Sequence, residues 1–512
     1  MPALARMKSN ESGTRSVWQA TVEPRRYAPL TQDVDADVCV VGAGLAGITT
    51  AYELARAGKR VVVLEKEPNI AAGETSKTTA HLTNVMDDRF MYLESHISKD
   101  AARQARESHG AAVDWIERVA RANDIECDFV RLDGFLVPGP GDDKKTIEDE
   151  HAAAVRAGFV DAELLASSPI EGLGGPVIRF PNQAEYHPLK FLNGIADAFT
   201  ALGGRIFTGA LVQEAEGGDD GHVKTANGRT VRARHVVLAT NSPAARYIET
   251  MKMVPYRTFV VALEVAPGSV PRALYWDTMD PYHYVRLARD ERGRELLVVG
   301  GGDYQTGDKD EGDRVFDDLI AWTREHFDVQ GSAAFRWSGQ VLEPADHLAF
   351  IGRSHDDDDV FLCTGDSGQG MTHSVIAALR IGDLILGRPE RWPVYDPRRI
   401  SVKPGSIKEY LRDAVLIGRK FLDHIKPGEV ASAEEIQPGS GAVLRRGMKE
   451  IAAYRDENGV LHEKSAVCTH AGCIVHWNST EKSWDCPCHG SRFSPTGDEV
   501  LNGPAVSPLR DV

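Results

Sequence analysis

Near the C-terminal end of this 512-residue chain, Cys468-Thr-His470-Ala-Gly-Cys473 and Cys486-Pro-Cys488-His489-Gly-Ser491 are separated by twelve residues. Each run pairs a cysteine with a histidine two or three positions later. Two thiolates and two neutral imidazoles on adjacent loops can hold a 2Fe–2S centre, thiolates on one iron and imidazoles on the other. The imidazoles raise its potential above that of an all-cysteine cluster. The competing chemistry is structural zinc, which also takes four cysteine or histidine ligands. Zinc does not require six residues in this order with Cys-Pro-Cys-His-Gly-Ser on the second run, so an electron-carrying cluster is the preferred expectation.

A second constellation lies near the N-terminus. Asp37-Val-Cys-Val-Val41 is a short apolar strand, and Gly42-Ala-Gly44-Leu-Ala-Gly47 turns it into a helix that runs through Ile48 to Ala57 and stops at Gly58. Arg60-Val-Val-Val-Leu64 is the second strand, with Glu65 at its end. Gly42 permits the tight turn, Gly44 lets backbone approach a pyrophosphate, and Gly47 lets helix and sheet pack closely. The helix N-terminus offers unpaired N–H groups and a positive dipole end to phosphates. Glu65 is placed for a ribose hydroxyl and disfavours a 2′-phosphate. Strand, loop, helix, strand and acid in this order specify a dinucleotide site without choosing between FAD and NAD. A later stretch, Val298-Val-Gly300-Gly301-Gly302, imitates a second glycine loop, but polar residues follow it and no helix pattern does. It is expected to be a strand and turn.

Length and composition set the frame for these sites. A chain of 512 residues exceeds what one core usually supports, so several domains are expected. The net charge of −16 argues against a nucleic-acid partner and an anionic membrane surface, both of which need a basic footprint. No apolar run approaches a membrane span. The first thirty residues lack a signal-peptide core, and Arg25-Arg26 is followed by Tyr-Ala-Pro-Leu-Thr-Gln-Asp where an apolar stretch should be, so a cytoplasmic location is expected. Of seven cysteines, Cys39 and Cys363 lie in apolar runs as small core residues, and Cys127 has no recognisable partner.

Across roughly residues 30–390 the sequence resembles the FAD-dependent oxidoreductases of the D-amino-acid oxidase and sarcosine oxidase superfamily. That resemblance implies FAD as the cofactor and an α/β, Rossmann-like (glutathione-reductase-type) FAD-binding domain with an interleaved α+β substrate domain. It implies continued pyrophosphate contacts in Gly73-Glu-Thr75-Ser76-Lys-Thr78-Thr79, backbone near Val212 at the adenine, and a return strand ending at Thr240-Asn241. It also implies a flavin loop, Gly365-Asp366-Ser-Gly368-Gln-Gly370-Met371-Thr372, whose following helix points its N-terminus at the isoalloxazine.

In the substrate half, Tyr186-His187-Pro188-Leu-Lys190 begins a helix. Val254–Glu264 and Asp280–Arg286 have strand patterns. Period-two alternation puts Tyr282, Tyr284 and Arg286 on one face and His283 on the other. In the resembled superfamily this sheet covers the flavin, which makes Arg257, Tyr282, Tyr284 and Arg286 the expected pocket residues. No residue declares itself a catalytic base.

Gly387 to Pro404 is expected to be surface connection. Leu411, Val415, Leu416, Leu422 and Ile425 form a helical stripe expected to dock on one of the domains. Ser432 to Gly441 is polar and Gly/Pro-bearing, and Asn458-Gly459 marks a hairpin. The last 75 or so residues resemble Rieske domains of cytochrome bc-type complexes, small and all-β. The resemblance implies iron ligation by Cys468, His470, Cys486 and His489, a disulfide between Cys473 and Cys488, and a covering loop at Gly503-Pro504. Ser491 matches a serine that donates to a cluster sulfide. Phe493 replaces a tyrosine that donates to a ligand thiolate, and losing that donor is expected to lower the potential.

These readings divide the chain into an extension (1–34), an FAD-dependent oxidoreductase (35–390), a linker with a helix (391–437) and a Rieske domain (438–512). The expected activity is oxidation of a C–N bond in an amine or amino-acid-like substrate, with electrons passed from FAD through the cluster to an external acceptor protein. Two alternatives remain open at this point: a reductase in which a donor protein feeds the cluster first, and a non-catalytic electron-transfer or redox-sensing module.

Overall fold

Val38–Val41 and Val61–Leu64 are apolar at every position and buried on both faces, the pattern of strands inside a covered parallel sheet. The computed structural model, which describes residues 14–142, 144–170, 172–243, 250–399 and 403–512, places them at the centre of a six-stranded sheet. Its order is Phe350–Arg353, Val360–Thr364, His235–Leu238, Val38–Val41, Val61–Leu64, Arg205–Phe207. All pairs are parallel except the first. Helices Leu45–Arg56 and Gly370–Ile385 pack together on one face. A small sheet formed by Val34–Asp35, Thr230–Arg232, His222–Thr225 and Val212–Glu216 closes the other, its Val223 and Val231 meeting Cys39, Val41 and Val62.

The substrate half is a nine-stranded mixed sheet. Its long strand Met253–Val265 sends Val260 and Ala262 toward the FAD-binding helices and Phe259, Val261 and Leu263 toward helix Arg314–His326. Both faces are therefore core. Gly300, Gly301 and Gly302 lie inside strand Glu295–Gln305, paired with Met253–Val265, as a strand-and-turn expectation requires. The helix after His187 runs Pro188–Ala201, with the His187 ring capping the Lys190 N–H at 3.3 Å.

The C-terminal domain is all-β: a three-stranded sheet from Ser440 to Ser465 and a four-stranded sheet from His476 to Asn502. At the Asn458-Gly459 turn the Asp456 carboxylate accepts from the Asn458 and Val460 N–H groups. This domain's packing reaches further back than residue 438. Glu429 accepts from the Val443 N–H at 2.8 Å, Val430 bridges Leu444, and Ile436 is buried.

Two outer segments pack in contrasting ways. The part of the N-terminal extension from residue 14 onward is built into the fold; residues 1–13 lie outside the described chain. Helix Val17–Thr21 opens with a Ser16–Gln19 capping box, and the Ser16 hydroxyl and Trp18 indole donate to the carbonyls of Ser76 and Thr78, both at 2.6 Å. Most of the stripe expected to dock is instead turned to solvent: Leu411, Val415, Leu422 and Ile425 are 63, 53, 53 and 75 % exposed, while Leu416 is half-buried. Polar contacts hold that segment, Lys420 to Asp308 and Asp423 to His476, together with Ile417 against the C-terminal core. Among the described residues no helix is long and apolar enough to cross a membrane.

Candidate functional site

The two cysteine–histidine loops close on themselves in the same way. The Cys468 N–H donates to the Cys473 carbonyl and the Gly472 N–H to the Cys468 carbonyl; the Cys486 N–H donates to Ser491 and the Gly490 N–H to Cys486. Each loop thus holds its first cysteine at the mouth of a six-residue turn, and Cys473–Cys488 form a disulfide between the loops. The Cys468 and Cys486 thiols are hydrogen-bonded to each other. That bond, then the His470 N–H and the Ser491 hydroxyl, draws Cys468 down to about 7 against the cost of burial. The rings of His470 and His489 stand edge-on, 5.0 Å between centroids. Both nitrogens of His489 are buried without a hydrogen-bond partner, although the residue is only 5 % exposed. Burial is costly for such a ring unless something binds it, and a metal does. Ser491 and Phe493 are fully buried beside the loops, and the Ser491 hydroxyl accepts from the Ala505 N–H at 3.1 Å, pinning the Gly503-Pro504 loop in place.

At the nucleotide end, Gly42 adopts φ +102°, and a Cβ there would lie 2.4 Å from the Ala239 carbonyl, so only glycine fits. No side chain caps helix Leu45–Arg56 from Gly44. The Thr75 hydroxyl accepts from the Leu45 N–H at 3.0 Å, which brings the Glu74–Ser76 turn to the helix N-terminus. Ser76 and Thr78 brace the same turn through Gly73 and Ala80, and Thr79 is buried beside them. Glu65 caps the Ala43 N–H at 2.8 Å and the Glu67 N–H at 2.9 Å, and burial raises its pKa. Thr240 and Asn241 end strand His235–Leu238 against Val360–Thr364, and the Asn241 amide nitrogen and Ser242 hydroxyl are buried without partners. Val212 sits at the edge of the small sheet, opposite Thr225. The loop from Gly365 to Gln369 enters helix Gly370–Ile385, where Met371 takes the Tyr186 hydroxyl on its sulfur and Thr372 donates to the Gln369 carbonyl. A glycine-only turn at a helix N-terminus and orphaned polar atoms beside it fit a bound dinucleotide.

The four expected pocket residues separate. Tyr282 and Tyr284 lie together, ring centroids 5.2 Å apart, while His283 stacks on Trp322 on the opposite face. The Tyr282 hydroxyl donates to Asp87 at 2.8 Å, and that of Tyr284 pairs with Thr258 at 2.5 Å. The two arginines are engaged elsewhere. Arg286 donates to the carbonyls of Ala80 and Tyr186 and pairs with Glu185, bracing the sheet beneath Trp18. Arg257, next to Thr258 but on the other face of its strand, reaches Ser338 and lies 3.5 Å from Glu481 of the C-terminal domain. Strand alternation decides this: the face shared with Tyr284 at this position belongs to Thr258.

Glu481 is the centre of a contact the sequence conceals. It is 3 % exposed and accepts from Ser338 (2.5 Å), Thr14 (2.6 Å) and Lys77 (3.1 Å), with Arg257 and Arg492 close by. Burial opposes its charge, but Lys77, Arg257 and Arg492 hold it well below the usual carboxylate range. Nothing in Ser479-Thr-Glu481-Lys482 distinguishes it from a solvated turn. Around it the second ligand loop rests on the FAD half. The Gln305 amide donates to the Pro487 carbonyl and the Gln340 amide to the Gly490 carbonyl, both at 3.0 Å. The Gln340 backbone N–H donates to Glu74 at 2.8 Å, and Asn502 donates to the other oxygen of Glu74. Glu74 thus joins the nucleotide turn to the cluster domain.

Residues 37–384 match the FAD dependent oxidoreductase family, DAO, and residues 426–512 the Rieske [2Fe-2S] domain. A Bacillus subtilis (strain 168) protein provisionally named Rieske 2Fe-2S iron-sulfur protein YhfW is 28% identical, with 99% of each chain covered. Gamma-glutamylputrescine oxidoreductase of Escherichia coli (strain K12) is 28% identical over 72% of this chain and 89% of its own. Glycine oxidase from Geobacillus kaustophilus shares the fold at TM-score 0.59 and 17% identity, covering 72% of this chain and 100% of that one.

Proposed function

This chain belongs to the FAD-dependent oxidoreductase family and carries a C-terminal Rieske 2Fe–2S domain, and from that premise we propose that it oxidises a C–N bond of an amine or amino-acid-like substrate and sends the electrons out through the cluster to an external acceptor protein. When bound, FAD supplies two-electron chemistry toward the substrate and the cluster supplies one-electron transfer. The contact between the two cofactor-holding segments carries this reading: Gln340 touches Gly490 of the second ligand loop and Glu74 of the nucleotide turn. A cluster with no redox connection to the flavin half would not need its ligand loop seated there. The similarity to an oxidoreductase of gamma-glutamylputrescine supports a nitrogen-bearing substrate. A cytoplasmic location belongs to the same reading.

In this account Gly42, Gly44 and Gly47 give the pyrophosphate its approach, Thr75 and Ser76 shape the turn over it, and Glu65 is available to the ribose. Thr78, Thr79, Val212, Thr240 and Asn241 line the nucleotide path, and the Gly365–Thr372 loop faces the ring. Cys468, Cys486, His470 and His489 hold the iron, with Ser491 as hydrogen-bond donor at the sulfur side. Tyr282 and Tyr284 orient the substrate by their hydroxyls.

The test is an anaerobic titration of the holoprotein with amines and amino acids, following flavin absorbance and the EPR signal of the reduced cluster together. One compound is expected to bleach the flavin and then raise the cluster signal. Bleaching with the cluster left oxidised, under conditions where dithionite reduces it, would refute the relay.

A further inference from the structure

Beside Tyr282 and Tyr284 the structure gathers acceptors with no cation to meet them. The Asp87 carboxylate receives the Tyr282 hydroxyl at 2.8 Å and the Gln369 amide at 3.3 Å, both neutral donors. Asp303 hydrogen-bonds Thr258, which also meets the Tyr284 hydroxyl, and its Oδ1 is buried without a partner. Gln369 is 5 % exposed; its nitrogen is used by the Val85 carbonyl and Asp87, and its Oε1 is buried and unpartnered. Among the described residues no salt bridge reaches Asp87 or Asp303. The neighbouring Asp88 shows the difference, since it is paired with His347 at 2.9 Å. Burial, chiefly, lifts Asp87 and Asp303 to about 7 each.

The position of this group ties it to the reacting end of the molecule. Gly368, in the flavin loop, adopts φ +81°, and a Cβ there would fall 2.9 Å from the Asp87 carboxylate and 3.4 Å from the Tyr282 hydroxyl. The loop therefore packs directly on the Asp87–Tyr282 pair. Buried acceptors left without donors are costly, and a ligand that brings only donors and positive charge relieves them. A carboxylate-bearing ligand would meet like charge there, while Arg257 and Arg286, the cations that could have received it, are turned to Glu481 and to backbone carbonyls.

We propose that Asp87, Asp303 and Gln369 form an ammonium-binding subsite, with Tyr282 and Tyr284 as its walls, and that the substrate is an amine carrying no carboxylate near the reacting nitrogen. This narrows the C–N reading above and rests on it. The amine enters as its ammonium form; the subsite binds the N–H donors and gives the carboxylates their counter-charge.

Two measurements on the holoprotein test it. The first compares anaerobic flavin bleaching by 1,4-diaminobutane and by L-ornithine, which share a skeleton and differ by one α-carboxylate. The diamine is expected to be favoured at least tenfold in second-order rate constant; equal or faster bleaching by ornithine overturns the subsite. The second titrates oxidised holoprotein with tert-butylamine, which has no α-hydrogen to lose, and reads the perturbation of the flavin spectrum. Saturable binding is expected, weakened at least tenfold by Asp303→Asn with FAD content and cluster EPR unchanged. No binding by the wild type, or binding unmoved by Asp303→Asn, overturns it. If an amino acid both bleaches the flavin and fills the cluster, the subsite fails and the relay stands. If an amine bleaches the flavin and the cluster stays oxidised, the relay fails and the subsite stands.

Discussion

Glu481 is a buried carboxylate and Asp303 a half-buried one with its Oδ1 shielded from water, and their surroundings are opposite. Glu481 accepts from Ser338, Thr14 and Lys77 and has two further arginines near it; Asp303 has Thr258 and an oxygen with nothing. The cations around Glu481 push its titration down, whereas burial alone dominates at Asp303 and pushes it up to about 7. A charge network whose carboxylate is fully met, although Nε and Nη1 of Arg257 stay buried without partners, holds domains in register. An uncompleted one beside a cofactor loop is a place for a ligand. The same change of acid to amide should therefore act with opposite sign at the two sites.

The largest effect is expected at the completed site. Glu481→Gln leaves Lys77 and Arg257 without their counter-charge, while Arg492 keeps Asp485 at 3.1 Å, and breaking a buried pair in this way costs about 3–5 kcal/mol. Denaturant unfolding should show that loss. An unchanged midpoint would mean that the interface is held by other contacts. Asp303→Asn, by contrast, should leave the amine-free protein as stable or more stable at pH 8, on the order of 1–3 kcal/mol, because a buried charge is removed. Destabilisation there would show Asp303 to be structural.

The pH dependence sharpens the contrast. Asp303 and Asp87 have folded pKa values raised above their unfolded ones, so the folded protein holds more protons between about pH 4 and pH 7. Their contribution to stability is therefore present at low pH and is lost as pH rises through 7. Glu481 is shifted downward, so its contribution is present above the ordinary carboxylate range and is lost only as pH falls through its lowered value. Stability measured from pH 5 to 8 should fall less steeply in Asp303→Asn than in wild type. Equal slopes would remove Asp303 from the titrating set. Asp366 and Glu150, also raised to about 7, add to the common slope and cancel in this difference.

The smallest effect concerns the cluster itself. Phe493 is fully buried in the same core as Cys468 and Cys486. Phe493→Tyr offers a donor worth about 1 kcal/mol, which for one electron is on the order of tens of millivolts. Protein-film voltammetry should find the midpoint raised; no rise would count against a missing donor as the cause of a low potential.

The parts of this molecule that were legible in the chain are those where local spacing dictates chemistry. The glycine turn after Val38–Val41 and the two ligand loops need particular residues at fixed offsets, and they stand where spacing put them. Strand alternation places Tyr282 and Tyr284 on one face, and their rings lie together there. Arg257 lies on the face away from Tyr284 because one residue of register exchanges the two faces of a strand, and sequence does not say which face joins Tyr284. Asp87, Gln369 and Glu481 come from segments far apart in the chain, so no local pattern announces them. The exposed Leu411–Ile425 stripe shows the converse: a helical period identified the helix, but not what it packs on.

The most direct test follows the electrons across the Glu481 contact. Wild type and Glu481→Gln holoprotein are mixed anaerobically with 1,4-diaminobutane, and flavin bleaching is followed alongside the freeze-quenched EPR signal of the reduced cluster. The account predicts bleaching at the same rate in both proteins, with the cluster signal following promptly in wild type and at least tenfold more slowly in the variant. A cluster that fills equally fast in both would contradict it, as would a wild-type flavin that bleaches while its cluster stays oxidised.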